Sequence, residues 1–109
     1  MRLIRHPLVA RDLDALVDHI TEATRGDVSA AIRRLDEVDA LLRSICENPN
    51  SGVRLSGTLE SWLVRHGGRD QRLSVVFRSV DTQNALYIAI VAFGGQDWMN
   101  AAARRREFD

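Results

Sequence analysis

The sequence predicts an α+β domain in which a helical hairpin packs on an antiparallel sheet. Apolar side chains recur at helical spacing in the N-terminal half, whereas three runs rich in β-branched and aromatic residues fill the C-terminal half. A dense turn signal at residues 47–52, ENPNSG, separates the two halves. The predicted order is an N-terminal strand, an antiparallel two-helix hairpin, a three-stranded antiparallel sheet and a short C-terminal helix or tail.

The first strand and the first helix meet at a proline. The run from Leu3 to His6 predicts a strand that ends at Pro7. Proline suits the first turn of a helix because its missing N–H would have no partner there. A helix is therefore expected from about Pro7, with acidic side chains on its solvent face. Its apolar stripe consists of Val9, Leu13, Leu16, Val17 and Ile20.

The second helix follows after a short break. Arg25 and Gly26 end the first helix, and Asp27 is a suitable N-cap for the next one. Because the connection has only a few residues, the two helices are expected to be antiparallel neighbours. The apolar stripe of the second helix is Val28, Ala31, Ile32, Leu35, Val38, Leu42 and Ile45.

Three strands are predicted at residues 62–66, 71–80 and 85–93, with hairpin-sized connections between them. The last run is apolar on both alternating faces, which is typical of a strand inside a sheet. The N-terminal strand must join this sheet at an edge or beside the last strand, and the sequence leaves both positions open. After the last strand, Asp97 is expected to cap the terminal helix.

Composition predicts one small soluble domain over residues 1–109. The 15 basic side chains, all of them arginine, balance 15 acidic ones. A neutral chain argues against a strongly basic nucleic-acid-binding protein, so no direct sequence-specific DNA binding by this chain alone is expected. The absence of lysine excludes Schiff-base chemistry.

Other features concern the compartment and cofactors. Cys46 is the only cysteine, which excludes an intramolecular disulfide and favours a reducing, cytoplasmic compartment. The N-terminal residues lack an apolar stretch of signal-peptide length, and no stretch approaches the roughly 20 apolar residues of a membrane span. The three histidines lack metal-ligand spacing, and no phosphate-binding glycine motif occurs. No metal, cofactor or membrane partner is therefore expected.

Arginine is concentrated in the C-terminal half. Residues 1–51 hold seven arginines and nine acids, whereas residues 52–109 hold eight arginines and six acids. Such a surface can bind phosphate or an acidic protein segment, or it can solely solvate the sheet edge, and both interpretations stay open. The even spacing of Arg72 and Arg78 predicts one shared strand face with Ser74.

One cluster of residues could transfer a proton and stabilise a phosphate. His66 follows Arg65, and Arg69 and Arg72 lie across the predicted hairpin. A histidine in a hairpin is more often structural or solvated, so that interpretation is kept beside the catalytic one. Ser74 has no identifiable base next to it in the sequence.

Five segments in this order resemble the RelE/ParE superfamily of bacterial type II toxins, over nearly the whole chain. The first strand and proline-started helix of that family are similar to RLIRHPLVARDLDALVDHI, and the end of its second helix is similar to LLRSICENPNSG. Its sheet resembles VRLSGTLESWLVR, RLSVVFRSV and LYIAIVAFGGQDW. The resemblance implies the toxin of a toxin–antitoxin system, of the kind that serves plasmid stabilisation, with a cognate antitoxin as partner.

RelE-like members of the superfamily cut mRNA on the ribosome with basic side chains on the sheet and a C-terminal aromatic hydroxyl. By position, two of the basic residues match Arg65 and Arg72, whereas other members of the set fall at Leu63, Gln96 and near Ala102. If the chain were a ribonuclease, its candidate catalytic residues would be Arg65, His66 and Arg72.

ParE-like members poison DNA gyrase and do not hydrolyse RNA. The long amphipathic helices and the segment DWMNAA look more like this branch, so gyrase is the expected target. A ribosome-dependent endonuclease and an inactive remnant that only binds an antitoxin remain as alternatives. Independently of the resemblance, Trp98 and Phe108 are candidate interaction anchors, although a tryptophan that packs into the core is the commoner case. The expected target-binding residues are Gln96, Asp97, Trp98, Arg104, Arg105 and Arg106.

The resemblance also implies how the antitoxin binds. A disordered antitoxin segment is expected to fold onto the hairpin and the sheet, where it fills apolar grooves and pairs with arginines. The expected antitoxin-binding residues are Leu16, Ile20, Arg54, Arg65, Arg69, Arg72 and Arg78.

Overall fold

The α+β class and the predicted order of elements are confirmed. The computed structural model describes residues 1–106, and Phe108 lies outside these residues. The helices are α1 (Val9–Ala23), α2 (Val28–Glu47) and α3 (Trp98–Arg104). The strands are β1 (Arg2–Arg5), β2 (Val53–Arg54), β3 (Leu63–Gly67), β4 (Leu73–Val80) and β5 (Ala85–Phe93).

The sheet differs from the predicted three antiparallel strands. Within residues 1–106 it has five strands and is mixed, in the order β1-β5-β4-β3-β2. β1 lies at an edge and beside the last strand at once, where it pairs with β5 in parallel. β5 is therefore inside the sheet, as its two apolar faces predicted. Both residues of the strand β2 pair with the start of β3. The sequence did not predict β2, because two residues are too few to show the alternation of apolar and polar side chains that marks a strand.

The start of α2 agrees with the predicted capping, whereas the start of α1 does not. The carboxylate of Asp27 accepts a backbone N–H of the first turn of α2 at 3.1 Å, as expected of an N-cap. α1 begins at Val9, two residues later than predicted, because Pro7 and Leu8 form a turn. In that turn the Leu8 N–H donates to Nδ1 of His6 at 3.1 Å.

Apolar side chains are buried on both faces of the sheet. The face under α1 and α2 carries Leu73, Val75, Phe77, Leu86 and Ile88. The opposite face, which α3 and the connection before β3 cover, carries a second core, made up of Val64, Val76, Ile90 and Ala92 together with Leu59, Trp62 and Ala102.

Two sequence predictions about side-chain exposure are wrong. Arg72 and Arg78 do not share an exposed strand face with Ser74, because Arg72 precedes β4 and Ser74 is buried in the second core at 6% exposure. Val28 and Ile32 were expected in the buried stripe of α2, but they are 64% and 53% exposed. Both lie in the first two turns of α2, at the tip of the hairpin.

The part of β5 beyond Ile88 has no neighbouring strand on the β1 side within the described chain. Unpaired backbone groups are costly when buried, and here side chains take the place of a strand. The bonds run from Val91 N–H to Asp12 Oδ2 (3.1 Å), from Arg105 Nη1 to Ala89 O (3.2 Å) and from Phe93 N–H to Gln96 Oε1 (3.1 Å).

Asp12 and Arg105 also bind each other through a two-pronged ion pair. Arg105 Nη1 is 2.7 Å from Asp12 Oδ2, and Nη2 is 3.0 Å from Oδ1. The two side chains are only 10% and 13% exposed, respectively. The pair therefore connects α1, β5 and the end of α3 at one buried point.

Replacing Asp12 with alanine should destabilise the fold strongly. The change leaves the Arg105 guanidinium buried without its partner and removes the acceptor of the Val91 N–H. Breaking a buried pair in this way costs about 3–5 kcal/mol, which urea denaturation would measure. Asp14→Ala removes an exposed acid of the same helix and should cost less than about 0.5 kcal/mol. Equal losses in the two variants would contradict the structural role of the pair.

Stability should also depend on pH through His6. Burial and the nearby Arg105 guanidinium lower the pKa of His6 below its ordinary value of 6.5, although Asp12 opposes them. The unfolded chain therefore binds a proton more readily than the folded chain. The contribution of His6 to stability is present above pH 6.5 and is lost as the pH falls from there through the lowered pKa.

His6→Asn tests this dependence because asparagine keeps an acceptor for the Leu8 N–H but does not titrate. The difference in unfolding free energy between the original protein and the variant should rise as the pH increases through the lowered pKa of His6, and it should level off above about pH 7. The other titrating groups cancel in this difference. A difference that is constant with pH would contradict the assignment to His6.

Candidate functional site

A cleft of about 280 Å³ opens where the helical hairpin meets the end of the sheet, and we call it the hairpin cleft. Its floor consists of the buried or half-buried apolar side chains Leu16, Ile20, Leu73 and Phe93. Its rim consists of the polar and charged side chains His19, Arg34, Glu37, Arg69, Asp70 and Arg72. An apolar floor with a charged rim suits a ligand that is itself amphipathic.

The helices α1 and α2 lie on two sides of the cleft and together contribute residues to both its floor and its rim. Leu16 and Ile20 are four residues apart and therefore lie on the same face of α1. His19 flanks them, with its ring centroid 4.9 Å from that of Phe93 at the end of β5. On α2, Arg34 lies one turn before Glu37.

The turn between β3 and β4 forms the remaining wall and lies tightly against α2. Gly68 has φ 72° and ψ −171°, a region that is essentially restricted to glycine. A Cβ at this position would lie 2.8 Å from Leu73 Cδ1 and 3.2 Å from Glu37 Oε2. Asp70 and Gln71 follow with left-handed φ values of 57° each. This strained turn carries the arginines at positions 69 and 72 to the rim.

Gly68→Ala should therefore destabilise the turn and the cleft wall. The backbone conformation alone costs about 1–3 kcal/mol for an L-residue, and the contact with Leu73 adds to this cost. Gly95→Ala is the matched control, since its Cβ would meet nothing within 4 Å and its φ is not left-handed. Urea denaturation should give a large loss of unfolding free energy for position 68 and almost none for position 95. Similar losses at both positions would refute the proposed close approach.

The rim has unused hydrogen-bonding capacity. The Arg34 Nε lies 3.0 Å from Glu37 Oε2, yet its N–H is not aligned with that oxygen. The buried nitrogen consequently has no hydrogen-bond partner among the described residues. The guanidinium groups of Arg69 and Arg72 make no hydrogen bond or ion pair with residues 1–106. Within that range the rim sets three guanidinium groups against two carboxylates, so it favours an anionic ligand.

The residues predicted to bind an antitoxin fall into two groups. The hairpin cleft brings together Leu16, Ile20, Arg69 and Arg72. The other three lie elsewhere: Arg54 on the edge strand β2, Arg65 beside the α2–β2 connection and Arg78 on β4. None of these three arginines lines the hairpin cleft.

The candidate ribonuclease residues are not brought together. Arg65 donates to a serine hydroxyl of the α2–β2 connection at 2.9 Å, whereas His66 faces the opposite side of the sheet. The Nδ1 of His66 lies 2.8 Å from Ser74 Oγ, and its ring meets Trp98 edge-on at 6.1 Å. Arg72 belongs to the hairpin cleft, on the helix side.

The partner of Ser74 was missed by sequence reasoning. His66 is its cross-strand neighbour, eight residues earlier in the chain, and only the β3–β4 register reveals this. An imidazole beside a hydroxyl is an arrangement that can activate a nucleophile. Ser74 is 6% exposed, however, so its hydroxyl is shielded from a substrate, and the bond joins two strands.

The C-terminal residues predicted to bind a target mostly serve the fold. Gln96 and Arg105 bond the edge of β5, Asp97 caps α3 as predicted, and Trp98 packs into the second core. Arg106 donates to the carbonyls of Ala103 and Thr58 at 2.9 and 3.3 Å. Arg104 is different, since it is exposed and its side chain makes no hydrogen bond or ion pair with residues 1–106.

Arg34 and Glu37 are the rim residues that the sequence did not single out. Their spacing of three residues is a signal for an ion pair on one helix face. It could not show that this face borders the sheet end, because other charged residues of α2 occur at similar spacing. Only the packing of α2 on the β3–β4 turn selects this pair.

No protein-family model matches the sequence, and a search of curated proteins finds no match. No helix within residues 1–106 is long and apolar enough to cross a membrane. In the same range, no group of three or more His, Cys, Asp or Glu side chains could hold a metal ion.

Proposed function

We propose that this chain is the toxin of a bacterial type II toxin–antitoxin pair, which inhibits growth through DNA gyrase and is neutralised by a cognate antitoxin. The observation that carries the proposal is the hairpin cleft. Its apolar floor and arginine rim suit a protein segment that alternates acidic and apolar side chains. Antitoxins of this class are expected to supply such a segment and to fold as it binds.

The order of elements supports the toxin class. A strand, a helical hairpin and an antiparallel meander follow one another as in the family that the sequence resembles. Four of the residues expected to contact an antitoxin line one cavity, although they come from α1 and from the β3–β4 turn.

The separation of Arg65, His66 and Arg72 favours the gyrase target over RNA cleavage. General acid–base cleavage of RNA needs its groups within hydrogen-bond reach of one phosphate. Arg65 contacts the α2–β2 connection, His66 contacts Ser74 on the other side of the sheet, and Arg72 lines the hairpin cleft. We place the contact with gyrase on the exposed residues of α3, which include Arg104 and Met99, the latter 57% exposed.

The proposal can be tested with purified protein, gyrase and supercoiled plasmid. Linear DNA should accumulate after detergent and protease treatment, since a gyrase poison traps the cleaved intermediate. Absence of linear DNA at a large molar excess would overturn the proposal. Codon-specific cuts of mRNA in a translation mixture would instead support the endonuclease. Harmless expression with both assays silent would support the inactive remnant.

Arg104→Ala should lower the yield of linear DNA about tenfold, which corresponds to about 1.4 kcal/mol of lost contact energy. Its unfolding free energy should stay within about 0.5 kcal/mol of the original value, because the side chain is exposed. Arg33→Ala, which removes an exposed arginine of α2, is the matched control and should leave the yield unchanged. Equal effects of the two variants would place the target surface elsewhere.

A further inference from the structure

We infer that Glu37 occupies the place of a partner's carboxylate beside Arg34. When a partner segment binds, one of its carboxylates, next to a large apolar side chain of the same segment, displaces Glu37 from Arg34. The inference deepens the proposed function and rests on it, since the ligand is taken to be a protein segment. On this inference, Glu37 sets the affinity of the hairpin cleft for that segment.

The contact between Arg34 and Glu37 is close but incomplete. Oxygen and nitrogen are 3.0 Å apart, whereas the N–H direction misses the carboxylate. The two side chains are 19% and 27% exposed, so water reaches them poorly. A buried N–H without an aligned acceptor costs free energy, and a better-placed carboxylate would recover it.

The geometry explains why Glu37 does not align itself. A helical spacing of three residues brings the two side chains together, but both are attached to α2. The Oε2 atom also lies against Gly68, where a Cβ would come within 3.2 Å. A carboxylate that enters from outside has no such tether and can approach the guanidinium in its plane, with two parallel hydrogen bonds.

The charge of the rim agrees with an incoming carboxylate. Glu37 and Asp70 balance two of the three guanidinium groups that the described chain places at the cleft. Arg69 and Arg72 extend the positive surface beyond Arg34, so more than one acidic side chain of a segment can be bound.

The floor restricts the ligand further. Leu16 and Leu73 are buried beneath the floor, whereas Ile20 and Phe93 are half-buried and present apolar surface to the cleft, which has room for a large apolar side chain. A free phosphate or a nucleic acid backbone would leave this apolar surface uncovered. A segment that alternates leucine and glutamate covers both the floor and the rim.

A fluorescein-labelled hexapeptide of alternating leucine and glutamate tests the inference with the full chain, by fluorescence anisotropy. Two control peptides replace all glutamates by glutamine or all leucines by alanine. The leucine–glutamate peptide should bind at least about tenfold more tightly than either control, since each control lacks one half of the recognition. Equal binding of the glutamine peptide would overturn carboxylate recognition.

Glu37→Gln should bind the leucine–glutamate peptide about tenfold more tightly than the original protein, because the competing charge is removed beside the ligand. Glu47→Gln is the matched control: it removes one exposed acid at the C-terminal end of α2, and the affinity of this variant for the peptide should stay unchanged. Equal gains in the two variants would overturn the role of Glu37, because they would reflect net charge alone.

Arg34→Met should abolish the gain when combined with Glu37→Gln, and its unfolding curve would show whether the fold is kept. If that variant unfolds, Arg69→Ala gives the second measurement. It should lower the affinity for the leucine–glutamate peptide at least about threefold. A negative gyrase assay with tight peptide binding would contradict the proposed target while the inference stands. Absence of binding by every peptide would overturn the inference, whatever the gyrase result.

Discussion

The ion pair between Asp12 and Arg105 is the interaction on which the arrangement of this protein depends. β5 continues beyond its pairing with β1, and a bare strand edge attracts other chains and leaves polar backbone groups unpaired. Asp12 accepts the Val91 N–H and Arg105 donates to the Ala89 carbonyl, and the two side chains bind each other. One buried contact therefore closes the sheet edge and attaches both α1 and α3 to it.

This attachment determines where the hairpin cleft forms. Asp12 holds the first half of α1 against β5, so the second half of the helix reaches the end of that strand. There Leu16, His19 and Ile20 come to lie beside Phe93. The β3–β4 turn approaches from the other side, since its glycines permit close contact with α2.

The arginines discussed above fall into two groups. They differ in how far their side chains are buried and in whether their N–H groups have hydrogen-bond acceptors. The Arg105 side chain is only 13% exposed, and each of its hydrogen bonds is aligned with an acceptor. Arg34, Arg69 and Arg72 lie around an apolar floor with hydrogen-bonding capacity that the described residues do not use. The first arrangement stabilises the fold, whereas the second is the basis of the proposed recognition of an acidic segment.

The sequence by itself determined the α+β class, the order of elements, the cap at Asp27 and the interior position of β5, because periodicity and capping are local properties. It also named four residues of the hairpin cleft. Tertiary structure decided the parallel pairing of β1, the burial of Arg105, the contact of His66 with Ser74 and the selection of Arg34 and Glu37. These depend on strand register and on contacts between residues far apart in the chain, which no local pattern encodes.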